Sequence, residues 1–325
     1  MPEQYAGGMT SAESAPAGGP GSGARRIVVS GATGLIGGKL LPALSRAGWA
    51  PERLTRHAPA GSDIAWNPAT GTIDAARLEG AEAVIHLAGE NIGAHRWTAE
   101  RKARIRDSRI TGTTLLATTL AGLDRTPRVL LSVSAIGIFG DRGDELLNES
   151  SPVGTDFLAE VGEAWEASAD PAQDAGIRVV HPRLGVVLHP DGGALERLLG
   201  VFRLGAGGKI GNGEQWLSWI ARTDVVSALH FLLRDEDFRG PVNVVAPNPE
   251  TNASFSKTLG HVIHRPALAT VPAMAVRLML GGEMANATVL ASQRVRPKAL
   301  DEYGFRFQFP HLEGALRHEL ADAAH

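Results

Sequence analysis

The sequence predicts an α/β protein built on a doubly wound, mostly parallel sheet, followed by a smaller, partly helical lobe. Three observations lead to this. Short β-branched runs alternate with helix-length segments up to residue 181, the first run passes through a glycine-rich turn directly into a helix, and the alternation gives way to irregular sequence from about residue 189.

In order along the chain, Arg25-Arg26-Ile27-Val28-Val29-Ser30 is a buried-strand run closed by Gly31. Residues 35–47 place Leu35, Ile36, Leu40, Leu41 and Leu44 at helical spacing and end at Gly48. A second strand is expected near Arg53-Leu54-Thr55-Arg56-His57. Residues 83–88 then read as a strand, 99–120 as a helix, 128–133 as a strand, 155–169 as a helix and 178–181 as a strand. Helical stretches follow near 224–233, 254–263 and 274–280, after a glycine-rich loop at 205–213. The chain thus divides into a tail (residues 1–24) whose Gly, Ala, Ser and Pro content predicts disorder, a sheet domain (25–188) to which later segments could add strands, and a smaller lobe (189–325).

Lys and Arg total 32 against 35 Asp and Glu, a formal net charge of -3, which argues against a nucleic-acid footprint and against a polybasic membrane surface. The chain has 0 Cys, so zinc–thiolate sites, disulfides, iron–sulfur clusters and thiol nucleophiles are excluded. No metal is expected, and a cytoplasmic location is the simplest expectation. The longest uncharged apolar run, 129–140, is too short to span a bilayer.

Gly31-Ala32-Thr33-Gly34-Leu35-Ile36-Gly37 has the spacing GxxGxxG between the first strand and the first helix. Glycines there let backbone N–H groups approach a pyrophosphate, whose charge sits at the positive end of the helix. In a chain with 39 glycines the same residues also suit an ordinary strand-to-helix turn, and it is the strand before and helix after that favour a Rossmann-type dinucleotide site. The second strand ends where an acid would hold the ribose 2′-hydroxyl of NAD, yet Arg53, Thr55, Arg56 and His57 stand there. A 2′-phosphate would be paired by a guanidinium, which points to NADP(H); two arginines simply facing solvent are the competing reading.

These residues, with Leu87-Ala88-Gly89-Glu90-Asn91-Ile92, Ser132-Val133-Ser134-Ala135 and Pro182-Arg183-Leu184-Gly185-Val186-Val187, resemble the extended short-chain dehydrogenase/reductase superfamily of nucleotide-sugar epimerases and dehydratases. The chain is most similar to an atypical branch, the epimerase-family or nucleoside-diphosphate-sugar epimerase-like proteins, which carry a C-terminal domain of unknown function. Gly211-Asn212-Gly213-Glu214-Gln215-Trp216, Asn243-Val244-Val245-Ala246-Pro247 and Gln293-Arg294-Val295-Arg296-Pro297 support this, and the resemblance covers about residues 26–320. It implies an NADP(H) site in which Gly31 to Gly37 hold the pyrophosphate and Arg56, with Thr55 beside it, meets the 2′-phosphate. Leu87 to Glu90 would line the adenosine ribose side, Arg183, Gly185 and Val186 would approach the nicotinamide, and Ser132 is counted with the cofactor residues.

In the superfamily a Tyr and a Lys four residues later share one helix face toward the nicotinamide, and the Tyr moves the proton that accompanies hydride transfer. Phe157 and Val161 occupy those positions here; the only tyrosines are Tyr5 and Tyr303, and no lysine lies between Lys102 and Lys209. Ser134 matches the substrate-orienting Ser/Thr, with a strand-end capping serine as the equal alternative. Asp141, among the acids just after that strand, is a candidate proton donor against the alternative of a solvated loop. His86, inside an apolar strand, reads as a core histidine. Trp97, Trp216 and Trp219 read first as packing residues and second as stacking platforms. Two functions follow. One is an NADP(H)-dependent oxidoreductase or epimerase-like enzyme acting on a small carbonyl compound, alcohol or sugar nucleotide; the other is a non-catalytic NADP(H)-binding sensor.

Overall fold

A computed structural model describes residues 25–56 and 59–322; the expected tail at 1–24 and His57 lie outside the described residues. Nine strands form one sheet: β1 (Arg25–Ser30), β2 (Trp49–Thr55), β3 (Ile64–Asn67), β4 (Thr72–Ile73), β5 (Ala83–His86), β6 (Val129–Ser132), β7 (Ser134–Ala135), β8 (Arg178–Leu184) and β9 (Gly240–Val244). Their order is β9-β8-β6-β5-β1-β2-β3-β4, with β7 paired to β8. Every pairing is parallel except that of β3 with β4.

Both faces of this sheet are covered, so its central strands are apolar on successive residues rather than on alternate ones. Ile27 and Val29 of β1 enter one core with Ile85, Leu131 and Val180, while Val28 enters the other with Val84, Leu130 and Val179. The first core is closed by the helix Gly37–Arg46, through Leu40 and Leu44, and by the helix Arg222–Arg234, through Val225, Leu229 and Leu232. The second is closed by the helix Ala99–Ala121, through Leu116, Ala117 and Leu120. Helices on both faces of a parallel sheet make this the expected doubly wound α/β fold.

Two features are not legible in the sequence, and a third is left open by it. The short strands β3 and β4 bring Trp66 into the second core. β2 begins at Trp49, ahead of Pro51 and Glu52, which break its apolar pattern. β9 comes from beyond residue 188 and carries Pro241 at the edge of the sheet, where a missing N–H is tolerated. A third core, with Leu188, Leu195, Phe202, Trp219, Phe255, Leu259, Leu312 and Leu316, organises the smaller lobe. Among the described residues no helix is long and apolar enough to cross a membrane.

Candidate cofactor and substrate site

β2 and β3 lie to one side of β1, whereas β5, β6, β8 and β9 lie to the other. The order therefore reverses between β1 and β5, and the carboxyl ends of these two strands frame the crevice where open α/β sheets bind ligands.

The turn after β1 fills one wall. Gly31 has φ +66°, and a Cβ there would lie 2.9 Å from the Ala88 nitrogen, so only glycine fits between the two loops. A Cβ on Gly37 would stand 2.5 Å from the Gly31 carbonyl oxygen, whereas one on Gly34 would meet only that oxygen, at 3.2 Å. Gly37 thus closes the turn on itself and Gly34 leaves space in front of it. The helix that follows starts without a side-chain cap and without an acid in its first turn; Gly38 N and Lys39 N already donate to the Gly34 and Ile36 carbonyls, whereas the N–H groups of Leu35, Ile36 and Gly37 make no hydrogen bond among the described residues and are left for an anion.

The facing loop, Leu87 to Glu90, is held by its backbone. Ser30 Oγ accepts from Leu87 N at 3.1 Å and Ala88 N at 3.3 Å, so its own proton goes to His86 Nδ1 at 2.6 Å. That sharing favours the Nε2–H tautomer of His86, whose Nε2 has no hydrogen-bond partner among the described residues; burial pushes its pKa down to about 4, and its ring meets Trp66 in a T-shaped contact at 5.7 Å. Glu90 donates its N–H to Ser108 Oγ at 3.1 Å, and its carboxylate is paired with buried Arg101.

At the end of β2 the two arginines separate. Arg53 grips Asp63 with both forks at 2.7 Å, holding that carboxyl below its usual range. Arg56 makes no ion pair among the described residues and lines, with Thr55, Pro59, Trp66 and Asn67, a cavity of about 330 Å³.

At the far end of the crevice Ser132 and Ser134 are buried, and their hydroxyls have no hydrogen-bond partner among the described residues. Arg183 stands beside Ser134 in register, but its guanidinium is turned to Glu166, with two hydrogen bonds of 2.8 Å, and lies over the Phe139 ring. Gly185 is where a Cβ would strike the Ser218 carbonyl oxygen at 2.7 Å, and Val186 begins pairing with Trp219. Asp141 accepts from the N–H of Ser292 at 3.1 Å and of Gly143 at 3.3 Å, joining its loop to the smaller lobe. It also lines a cavity of about 830 Å³ bounded by Phe139, Phe157, Arg277, Glu283 and Leu290.

The helix Phe157–Ala167 is capped by Asp156, whose carboxylate accepts from Ala159 N at 2.9 Å. Phe157 packs on Trp97 at 5.1 Å with Lys102 Nζ 4.7 Å above its ring, Val161 is buried, and Trp165 Nε1 donates to Thr113 Oγ1 at 3.0 Å. Tyr303 lies against Phe238, just before β9 begins and hence at the opposite edge of the sheet. Trp219 is fully buried and donates to the Asn248 carbonyl, and Trp216 donates to Asp144 at 2.5 Å. One group able to hold a metal ion, His189, Glu319 and Asp322, occurs among the described residues, but Lys39 and Arg222 already sit on Asp322. The residues sequence reasoning missed here are Arg101, Arg109, Trp165 and Arg277, because long helical side chains carry no motif that marks them.

The fold, the glycine turn at its switch point and the matched segments define a class: the chain belongs to the NAD dependent epimerase/dehydratase family, whose profile matches residues 27–245, and a domain of unknown function (DUF1731) matches residues 271–319. Among relatives, the epimerase family protein Mb2239 of Mycobacterium bovis is 40% identical over 291 residues, 89% of this chain and 96% of that protein. A chloroplastic homolog of the epimerase family protein SDR39U1 from Arabidopsis thaliana is 37% identical, covering 90% of this chain and 85% of that one. The crystal structure of the human epimerase family protein SDR39U1 with NADPH superposes with a TM-score of 0.84 at 32% identity, covering 91% of this chain and 99% of that chain.

Proposed function

We propose that this protein binds NADP(H) across the β1/β5 crevice and serves as an oxidoreductase or epimerase-like enzyme for a small carbonyl compound, alcohol or sugar nucleotide. The observation that carries this reading is Arg56: of the two guanidiniums at the end of β2 it is the one without a carboxylate among the described residues, and it lines a cavity. A carboxylate there would repel a 2′-phosphate, and a free guanidinium pairs with it. The dinucleotide fits the residues present, since Gly34 leaves room in front of the turn, the N–H groups of Leu35, Ile36 and Gly37 are open to an anion, and Ser132 and Ser134 hold hydroxyls without a hydrogen-bond partner among the described residues.

When bound, the cofactor supplies or accepts a hydride. Of the chain's own groups, Gly31 to Gly37 hold the pyrophosphate, with Thr33, Leu35 and Ile36 forming the rest of the turn. Thr55 and Arg56 hold the 2′-phosphate, and the backbone from Leu87 to Glu90 lines the adenosine ribose side. Ser132, Gly185, Val186 and the backbone at Arg183 shape the nicotinamide end. Ser134 donates a hydrogen bond to the substrate oxygen, Asp141 is the carboxylate positioned to exchange a proton in the larger cavity, and that cavity seats the substrate. Calorimetric titration tests the cofactor half: NADPH should bind at least about tenfold more tightly than NADH, and Arg56→Ala should erase the difference. Equal affinities in the wild type would remove the NADP assignment. Absorbance screens of carbonyl compounds and sugar nucleotides test the second half.

One observation favours the sensor reading. The helix face that carries Phe157, Val161 and Trp165 is apolar, with Val161 and Trp165 buried and Phe157 half-buried at the larger cavity, and it offers no acid to the reaction. Tight NADPH binding with every substrate class silent would select it.

A further inference from the structure

The helix Ala273–Leu280 carries its apolar side outward. Val276 is its only buried residue. Met274, Ala275, Leu278 and Met279, at i, i+1, i+4 and i+5, occupy one arc of the helix surface. Met274, Leu278 and Met279 keep 62%, 69% and 67% of their surface exposed. A helix that belongs wholly to its own domain turns such an arc to the core. Here three long, adaptable side chains instead form an exposed patch on the order of a few hundred Å².

Two guanidiniums stand at the borders of this arc. Arg96, on the loop after β5, donates its Nε to the Met279 carbonyl at 2.8 Å, which fixes it at the C-terminal end of the helix. Arg277, between the arc and the larger cavity, donates its Nε to Asn286 Oδ1 at 3.0 Å. Neither makes an ion pair among the described residues, and the carboxylate of Glu283, just beyond the helix, is held by Lys102 at 2.6 Å. The two segments that meet here, residues 91–98 and 251–282, contain no Asp or Glu. The formal net charge of -3 is therefore an average over acids placed elsewhere, and this surface is locally cationic.

A second copy of the chain does not suit such a face. Pairing it with itself would set Arg96 and Arg277 against their own counterparts, and the patch falls short of the about 800 Å² per partner of a standard interface. A peptide helix docks in a groove, whereas this face is the outside of a helix. An anionic bilayer suits both features at once, because an apolar arc enters the acyl boundary while flanking cations meet the headgroups. We propose that the helix Ala273–Leu280 docks the protein on anionic lipid, with Met274, Leu278 and Met279 in the acyl boundary and Arg96 and Arg277 on headgroup phosphates. At about 12 Å long the helix lies in the interface plane.

Sedimentation of the full chain with vesicles tests this. The wild type should pellet with vesicles of equal parts phosphatidylcholine and phosphatidylglycerol and stay in solution with phosphatidylcholine alone. Leu278→Glu with Met279→Glu should weaken binding by about tenfold or more, as should Arg96→Gln with Arg277→Gln, and raised salt should mimic the second pair. Both pairs should melt close to wild type, since all four side chains are exposed. If the glutamate pair does not fold, Met274→Ser with Leu278→Ser decides in the same assay, lost pelleting supporting the proposal and retained pelleting refuting it. A wild type that ignores both vesicles, or a folded glutamate pair that pellets as the wild type does, overturns the proposal. So does a wild-type dimer in velocity sedimentation that ignores vesicles and that the glutamate pair makes monomeric, since the face then belongs to a second copy. Capture of the wild type by polyglutamate but not by vesicles would equally overturn it, in favour of an acidic polypeptide.

Discussion

Ser30 Oγ and His86 Nδ1 are joined by a 2.6 Å hydrogen bond between facing residues of neighbouring parallel strands, and burial keeps the imidazole neutral down to about pH 4. His181, His189 and His230 are also held below the ordinary histidine range, by burial first of all. For each, the unfolded chain takes up a proton near pH 6.5 and the folded chain does so only at lower pH. Stability is therefore full above about pH 6.5 and falls as pH drops, at about 1.4 kcal/mol per pH unit for the fully buried His86 down to about pH 4, and more weakly for His189 and His230, which solvent screens. Urea unfolding measured from pH 7.5 to pH 4.5 checks this. An unchanged midpoint over that interval would mean these rings are protonated in the native state.

The outer and middle glycines of the turn should behave differently. Gly37→Val drives a side chain into the backbone of Gly31 and Ala32, at 2.5 to 2.6 Å, and should lower the melting temperature of the cofactor-free protein by several degrees. Gly34→Val meets a single oxygen at 3.2 Å and should melt close to wild type, yet lose the upward shift that NADPH gives the wild type. A Gly34→Val protein that NADPH still stabilises would place the phosphates elsewhere.

Arg183 and Glu166 form a fork-to-fork pair with 7% and 13% of their side chains exposed. Removing one partner leaves a buried charge alone, so Glu166→Met and Arg183→Met should each destabilise by about 3–5 kcal/mol, whereas the double variant that combines them should cost far less. Denaturant titration of the four proteins forms the cycle. Additive single effects would show that the pair is not coupled.

Restoring the superfamily pair on the helix Phe157–Ala167 should not restore chemistry. Val161 is 4% exposed, and a lysine there would be buried without a carboxylate, at a cost of about 2–4 kcal/mol. Phe157→Tyr alone should fold normally, because the ring is half-buried and lines the larger cavity. The double variant should melt lower and oxidise NADPH no faster; a faster double variant would mean that this face opens to the cofactor.

The sheet was legible in the chain because its strands are buried on both sides and so appear as unbroken β-branched runs, as in Ile27-Val28-Val29 and Ala83-Val84-Ile85. The glycine turn was legible for the same kind of reason: backbone approach needs glycine at fixed spacing. Arg53 and Arg56 looked alike in sequence, and only the fold shows Asp63 arriving from beyond β2 to take the first and leave the second. Arg183 showed the limit of motif matching, since its position follows from the strand but the direction of its side chain follows from Glu166, seventeen residues earlier on a helix. Strands as short as Thr72–Ile73 carry no period to detect, and their partner supplies the reason they exist.

The edge strand Gly240–Val244 has a consequence for biosynthesis. During translation the glycine turn and β1 leave the ribosome early, but the layer above them is completed only by the helix Arg222–Arg234 and the strand that follows. Until residue 244 has emerged, β8 presents a bare hydrogen-bonding edge of apolar residues, the kind of edge that recruits other chains. A polypeptide interrupted before that point would contain every residue of the glycine turn and still be a substrate for chaperones and proteases.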